Sequence, residues 1–401
     1  MLTPTLLFVA AAIPATLGQS VNITFLTGLL GSLETAGLTQ LATFAQSINS
    51  TSVGQSLLAN ISNGSPHLLF APTDAALRSA SANVTSDPNT LADVLAYHVV
   101  PGNFTDNVPT YPNVTLGRTL LTDGNLVQLE GGNKAQVLAW ATRADGHVHI
   151  LNQRNDSVVV NSTSFGNVTI WSIDQVLQIP QNLATTIPAD NISLTGVDTV
   201  LQTVQTPFFN STTNSTTNTT LFNALNAGFH GFTFFAPNTT AIQSAQSSLQ
   251  GLNSTQLQNL VYNHFLNGTT VYSTQFSNLT TAAGEKLGFT FNSTGQYVTD
   301  SATNTTARIV QPDVLLPNGV IHVIDRVFLD TNADASAASS AIASATSAAT
   351  ASQSSQTAPL GTSTPTGGST AGGSAASALG VNWGMMVAAV GVVLGGVIAV
   401  V

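Results

Sequence analysis

The sequence predicts an α+β chain built from two tandem copies of one domain. Three observations carry this. LLFAPTDAAL (Leu68 to Leu77) recurs as TFFAPNTTAI (Thr233 to Ile242), with Pro72 and Pro237 aligned at an offset of 165. Apolar residues recur at helical spacing early in each copy. Short β-branched runs close each copy.

The elements follow in order. Leu26, Leu29, Leu30 and Leu33 mark a first helix, and Leu38, Leu41, Phe44 and Ile48 a second. In the second copy Val197, Val200, Leu201 and Val204 repeat the pattern. HLLFA and FTFFA are apolar strands centred on Phe70 and Phe235, each stopped by its proline, Pro72 or Pro237. Asp74 or Asn238 then suits the turn into a new helix. LADVLAYHVVPG (Leu91 to Gly102) aligns with LQNLVYNHFLNG (Leu257 to Gly268) and reads as a helix running into a strand. VTIWSIDQVL and GVIHVIDRVF are the closing strands, which pair Asp174 with Asp325. Three blocks in one order, with unequal loops between them, indicate a duplicated domain. NSTTNSTTNTT, from Asn210, reads as a loop insertion, since Ser, Thr and Asn compete with the helical backbone.

The chain has 401 residues, of which 6% are charged, against about 25% in ordinary soluble domains. Glycans are the expected solubilising group. Twenty Asn-x-Ser/Thr tripeptides occur, none beyond Asn304. The acceptors expected to be used are Asn22, Asn49, Asn60, Asn83, Asn103, Asn113, Asn155, Asn191, Asn210, Asn214, Asn218, Asn238, Asn253, Asn267, Asn278, Asn292 and Asn304. Asn63 is set aside for the proline that follows its sequon, and Asn161 and Asn167 because they fall on strands read as buried.

A net charge of −10 with eight scattered Lys and Arg argues against nucleic acid as a partner. The lack of cysteine excludes disulfides, thiol nucleophiles and iron–sulfur sites. Residues 1–18, with LLFVAAAI at 6–13, read as a signal peptide, followed by domains at 21–179 and 188–331. Residues 332–380, rich in Ser, Thr, Ala and Gly, read as a disordered stalk. The apolar run at 381–401, preceded by small residues, reads as a glycosylphosphatidylinositol signal with attachment at Ser374; Gly373 and Ala376 are close rivals. The alternative is a retained membrane helix in a protein of the vacuolar route.

No catalytic constellation emerges. His147 and His149 in GHVHI could share a strand face toward a metal, but no third ligand is evident, and neither a metal nor another cofactor is expected. No nucleophile elbow or phosphate-binding loop occurs. A glycan-modifying or metal-dependent secreted enzyme is the alternative to a binding protein.

FAPTDAAL, then AYHVV, then NGVIHVIDRVF, in this order within about 150 residues in a size typical of one domain, resemble the fasciclin domain, an adhesion module of surface proteins. The resemblance covers about residues 21–331 as two copies. It implies a β-wedge with packed helices, no enzymatic activity, and cell-surface or wall glycans or proteins as partners. It also implies adhesion candidates: Tyr97 and His98 through the family's Tyr-His stretch, His264 as the repeat of His98, and Asp313-Val314 through its Asp-Ile motif. For His98 and His264 the favoured reading is instead a half-buried histidine whose ring nitrogen bonds a backbone carbonyl and pins the helix–strand junction. Asp174 and Asp325 are expected to hold backbone N–H groups at a strand bend.

Overall fold

The structure, a computed structural model, describes residues 21–80, 84, 86–104, 106–132, 134–189, 192–210, 215–350 and 357–361. The leucine stripe of the first copy forms helix Ile23–Thr35 and buries Leu26, Leu29, Leu30 and Leu33; the Asn22 side chain accepts from Phe25 N–H and caps it. Helices Thr39–Ser47, Ser52–Ile61, Asp74–Ser79 and Pro88–Tyr97 complete the layer. The cap of the fourth is Thr73, whose hydroxyl accepts from Ala76 N–H, rather than Asp74. Asp74 reaches back to Gln40 N–H (2.9 Å) and the Thr39 hydroxyl (2.6 Å), tying down the second helix. In the second copy Asn238 is the cap, and Thr239 makes the matching tie to Gly196 N–H.

The strands are β1 His67–Pro72, β2 Val99–Pro101, β3 Thr115–Arg118, β4 Val137–Thr142, β5 Val148–Ile150, β6 Ser157–Phe165 and β7 Val168–Ile173. They form one sheet in the order β2-β1-β7-β6-β5-β4-β3. After a hairpin of β8 Gln205–Asn210 and β9 Ser215–Thr220 come β10 Phe232–Pro237, β11 Phe265–Asn267, β12 Leu279–Thr280, β13 Lys286–Asn292, β14 Gly295–Asp300, β15 Thr305–Leu316 and β16 Gly319–Ile324. Their order is β11-β10-β16-β15-β14-β13-β12, the first sheet repeated strand for strand. The first and last strands of each domain, β1 with β7 and β10 with β16, pair in parallel. That pairing is why the FAP block and the Asp-x-Val block recur together: they are neighbours in the sheet. Helices Thr195–Thr203, Leu221–Ala227, Thr239–Gln250 and Ser254–Tyr262 cover the second domain. The two helix–sheet cores divide cleanly, one running from Leu26 to Leu177 and the next from Leu183 to Val327.

Two segments differ from the sequence reading. The sequon-rich stretch after Phe208 is a hairpin whose return strand is Ser215–Thr220, not an irregular loop. The β-branched threonines of STTNTT suit a strand, and a paired backbone removes the competition from their hydroxyls. The segment from 332, read as a disordered stalk, opens on ordered structure. Ala335–Thr350 is a helix, with Asp334 accepting from Ser336 and Ala337 N–H at its start. Alanine is the best helix former, so a tract that cannot build a core still winds when capped. Half-buried Ala338, Ile342, Ala345 and Ala349 recur along one face. A Cβ on Gly131, whose φ is +81°, would stand 2.4 Å from the backbone oxygen of Ala349, so this approach requires glycine at 131.

The domains meet through a shared cluster. Val114, Leu116, Val137, Ala139, Ala141 and Leu151 of the first pack with Tyr272, Leu315 and Val320 of the second. Leu360 is buried in the same cluster. It donates its N–H to Leu116 O (2.8 Å), and its carbonyl accepts from the Thr274 hydroxyl. Polar bonds frame this patch: Gln136 Nε2 to Leu316 O (3.0 Å), Gln128 N–H to Pro317 O (2.7 Å) and the Thr270 hydroxyl to Glu130 Oε2 (2.7 Å). Glu130 is also paired with Lys134 at 2.6 Å.

Candidate binding cleft at the domain junction

The adhesion candidates named by sequence are inside the protein. Tyr97 and His98 are 0% exposed and His264 is 2% exposed. His98 Nδ1 lies 2.6 Å from Val94 O, and Leu177 N–H donates to its Nε2 (2.9 Å). Because Nε2 accepts, the ring proton sits on Nδ1 and goes to the carbonyl. His264 repeats this with Leu260 O (2.9 Å) and Phe328 N–H (3.0 Å). Each ring thus ties the end of a helix to the chain just after the closing strand. Burial pulls both imidazoles down to about 4, against a smaller upward pull from the carbonyl bond. The Tyr97 hydroxyl donates to Val137 O (3.2 Å). At its place in the second copy Asn263 is buried and bonds Asp330 O and Asn332 O.

Asp313 and Val314 are buried as well. Asp313 accepts from Ser273 N–H (2.8 Å) and the Ser273 hydroxyl. Its φ of +56° belongs to a bulge of β15, where the register against β16 shifts between Gln311 and Val314. The first domain has no matching bulge residue. Burial raises the Asp313 carboxyl and lowers the neighbouring His322. Phe70 and Phe235 are fully buried, and Pro72 and Pro237 end β1 and β10 opposite Ile173 and Ile324. Asp174 and Asp325 are exposed, yet each fixes backbone: Val158 N–H to Asp174 Oδ1 and Arg308 N–H to Asp325 Oδ1, both 2.8 Å.

His147 and His149 do not form a pair. His147 precedes β5 and is exposed, while His149 bonds Asp145 Oδ2 (2.9 Å). Among the described residues no group of His, Cys, Asp or Glu could hold a metal ion. The described sequon asparagines whose exposure is assigned are all exposed or half-exposed, including Asn161 and Asn167. Those two were set aside as buried, but the bulge in β6 turns Asn161 outward and Asn167 occupies the β6–β7 turn. Asn83, Asn191, Asn214, Ser374 and residues 1–18 and 381–401 lie outside the described residues.

One polar cleft opens where the domains meet. It has a volume of about 220 Å³ and is lined by Tyr111, Arg143, Asn152, Gln153, Arg154 and Asp156 of the first domain, with Gln311 and Asp313 of the second. Arg143 lies over the Tyr111 ring, 4.4 Å from its centroid, and donates from Nε and Nη2 to Asp156 Oδ2. Gln153 Oε1 accepts from Gln178 N–H (2.7 Å). Asn152 holds a φ of +65°. Asn152 Nδ2 and Gln153 Nε2 are buried with no protein hydrogen-bond partner. Sequence reasoning missed this cleft. Its only local signal is the polar run NQRND at 152–156, which looks like any turn; Tyr111 and Gln311 arrive by folding.

The fasciclin domain model matches residues 39–203 and 207–330. Its boundary places helix Thr195–Thr203 in the first match, whereas Val197 and Leu201 pack in the second core; the packing is the better guide, because a domain is the unit that shares a core. A fasciclin-like arabinogalactan protein of Arthroderma benhamiae is 25% identical over 257 residues, 63% of this chain and 54% of that protein. The chain thus spans about half the length of this curated relative. A solved FAS1 domain pair from the insect cell adhesion molecule fasciclin I is similar at 16% identity and a TM-score of 0.34, over 74% of this chain and 98% of that one. The family match covers most of the chain, in two segments that each end on a closing Asp-x-Val strand or the helices just after it: the chain belongs to the fasciclin domain family and carries two of its domains in tandem.

Proposed function

We propose that this is a non-enzymatic cell-surface adhesion or wall-associated glycoprotein whose two fasciclin domains act as one block. The packed junction carries the reading. An apolar cluster and buried polar bonds join the domains, so a partner meets one composite surface rather than two swinging modules. Family membership and the outward placement of the described sequons support it further. The partners are glycans or proteins of cell surfaces or walls, held by weak contacts that gain avidity when many copies share one membrane. The small-residue tract and apolar run at 373–401 support attachment to that membrane through a lipid at Ser374.

The full chain, displayed on cells, is expected to raise cell–cell or cell–wall attachment over an unrelated sequon-rich protein displayed at equal density. Equal attachment by the two would refute adhesion. On the same cells, phosphatidylinositol-specific phospholipase C is expected to release the protein. Mass spectrometry showing Val401 on the mature chain would refute the anchor.

A further inference from the structure

We propose that the cleft at the domain junction binds a single carboxylated sugar unit, a uronic acid, with Arg143, Asn152, Gln153 and Arg154 as its donors. Four observations carry this. The chain has only eight Lys and Arg and a net charge of −10, yet two of the eight, Arg143 and Arg154, line this one cavity. Two of the five guanidinium donors of Arg143 go to Asp156, and the Tyr111 ring and that carboxylate hold the group in place.

Asn152 Nδ2 and Gln153 Nε2 both lack a protein partner although buried, and both belong to the cavity wall. A buried donor left unpaired is costly, and proteins rarely keep two side by side. Gln178 N–H holds Gln153 Oε1, so the free end of that amide is its nitrogen and not the oxygen. Asn152 also sits at a φ of +65°, a backbone state that asparagine adopts more readily than other non-glycine residues.

Size and charge then select the ligand. A volume of about 220 Å³ leaves room for a sugar ring. Asp156 and Asp313 line the same cavity, so a compact dianion such as sulfate meets repulsion there. A monoanion meets about half of that repulsion, and its hydroxyls can offset it by hydrogen bonding. Its carboxylate takes the guanidinium and amide donors, while its hydroxyls donate hydrogen bonds to the Asp156 and Asp313 carboxylates.

The proposal deepens the adhesion reading, because it names what the composite surface would hold, and its test is separable from that reading. The purified full chain is titrated calorimetrically with sodium glucuronate, methyl glucoside and sodium sulfate. Glucuronate is expected to bind, methyl glucoside at least about tenfold more weakly for want of the charge-assisted bonds, and sulfate not to compete. Asn152→Gly removes a donor and suits the positive φ, so it is expected to weaken glucuronate binding about tenfold with no loss of thermal stability. Gln153→Glu places a like charge against the ligand and is expected to abolish binding. The proposal is overturned by no glucuronate binding, by equal binding of the neutral sugar or of sulfate, or by unchanged affinity in both variants. Adhesion without glucuronate binding removes this proposal and leaves the adhesion reading standing. Binding without adhesion does the reverse.

Discussion

Phe70→Ala is expected to destabilise the first domain by about 3–5 kcal/mol, and Phe235→Ala the second by a similar amount. Both rings are fully buried at the same position of the repeated fold. Phe70 stands edge-on to Trp140 and Trp171, at 5.5 and 5.6 Å between centroids. Phe235 packs on Phe276, Phe289 and His322 at 5.3 to 5.9 Å. Truncation removes each ring from its partners and leaves a void walled by stiff aromatic groups, which relax little. For a domain of this size the loss corresponds to a melting shift of about 10 °C. Scanning calorimetry reads it, and the two variants should lower different components of the transition. An unshifted melting curve for either would mean that ring does not anchor its domain.

The second large effect is acid destabilisation through His98 and His264. Each imidazole is held near 4 in the folded state, by burial first, against about 6.5 in an unfolded chain. Between these values the unfolded state takes up a proton that the folded state refuses. Stability is therefore full above pH 6.5, falls as the pH falls, and levels off below pH 4. Each site contributes about 3 kcal/mol at most to the fall. His67 and His322 are shifted in the same direction by burial. Asp93 acts oppositely: burial and its acidic neighbours Asp123 and Asp87 raise it to about 6, so its effect favours the folded state as the pH falls. Comparing variants separates these contributions. A His98→Gln/His264→Gln protein should be less stable than wild type at pH 7, having lost the ring bonds to Leu177 and Phe328, but should lose clearly less between pH 6.5 and 4 in urea titrations. An acid slope equal to wild type would show that these rings do not titrate as buried bases.

Much of the fold could be read from sequence because the duplication displays it. Phe70 and Phe235, the closing aspartates and the buried histidines each occur twice, and their register in the sheet explains the spacing. Position in the repeat did not reveal exposure. The Tyr-His and Asp-Val stretches resemble adhesion motifs, yet Tyr97 and Asp313 spend their polar atoms on Val137 O and Ser273, and the histidines are bonded to backbone as their favoured reading has it. A short polar motif looks the same whether its bonds go to solvent or to backbone. The junction was hidden for a different reason. Gln136, Tyr272, Leu315 and Leu360 lie far apart in sequence and share no period. Helix Ala335–Thr350 was within reach, since its alanines and the Asp334 cap are local signals, but low complexity obscured them.

The placement of Leu360 has a mechanical consequence. The chain leaves the second sheet near Asp330, runs back along Ala335–Thr350 to the first domain, and is clasped at Thr357–Gly361 between Leu116 and Thr274. Tension applied through residues beyond Gly361 therefore loads the seam between the domains, at strand β3 of the first and Thr274 of the second. Among the described residues the clasp rests on the buried Leu360 and its two hydrogen bonds. Its release, followed by unwinding of helix Ala335–Thr350, would pay out up to about 100 Å of chain between residues 331 and 361, at about 3.4 Å per residue, with both sheets intact. Single-molecule pulling should record that length as a first, low-force step. A trace that goes straight to domain unfolding would show that the clasp bears no load.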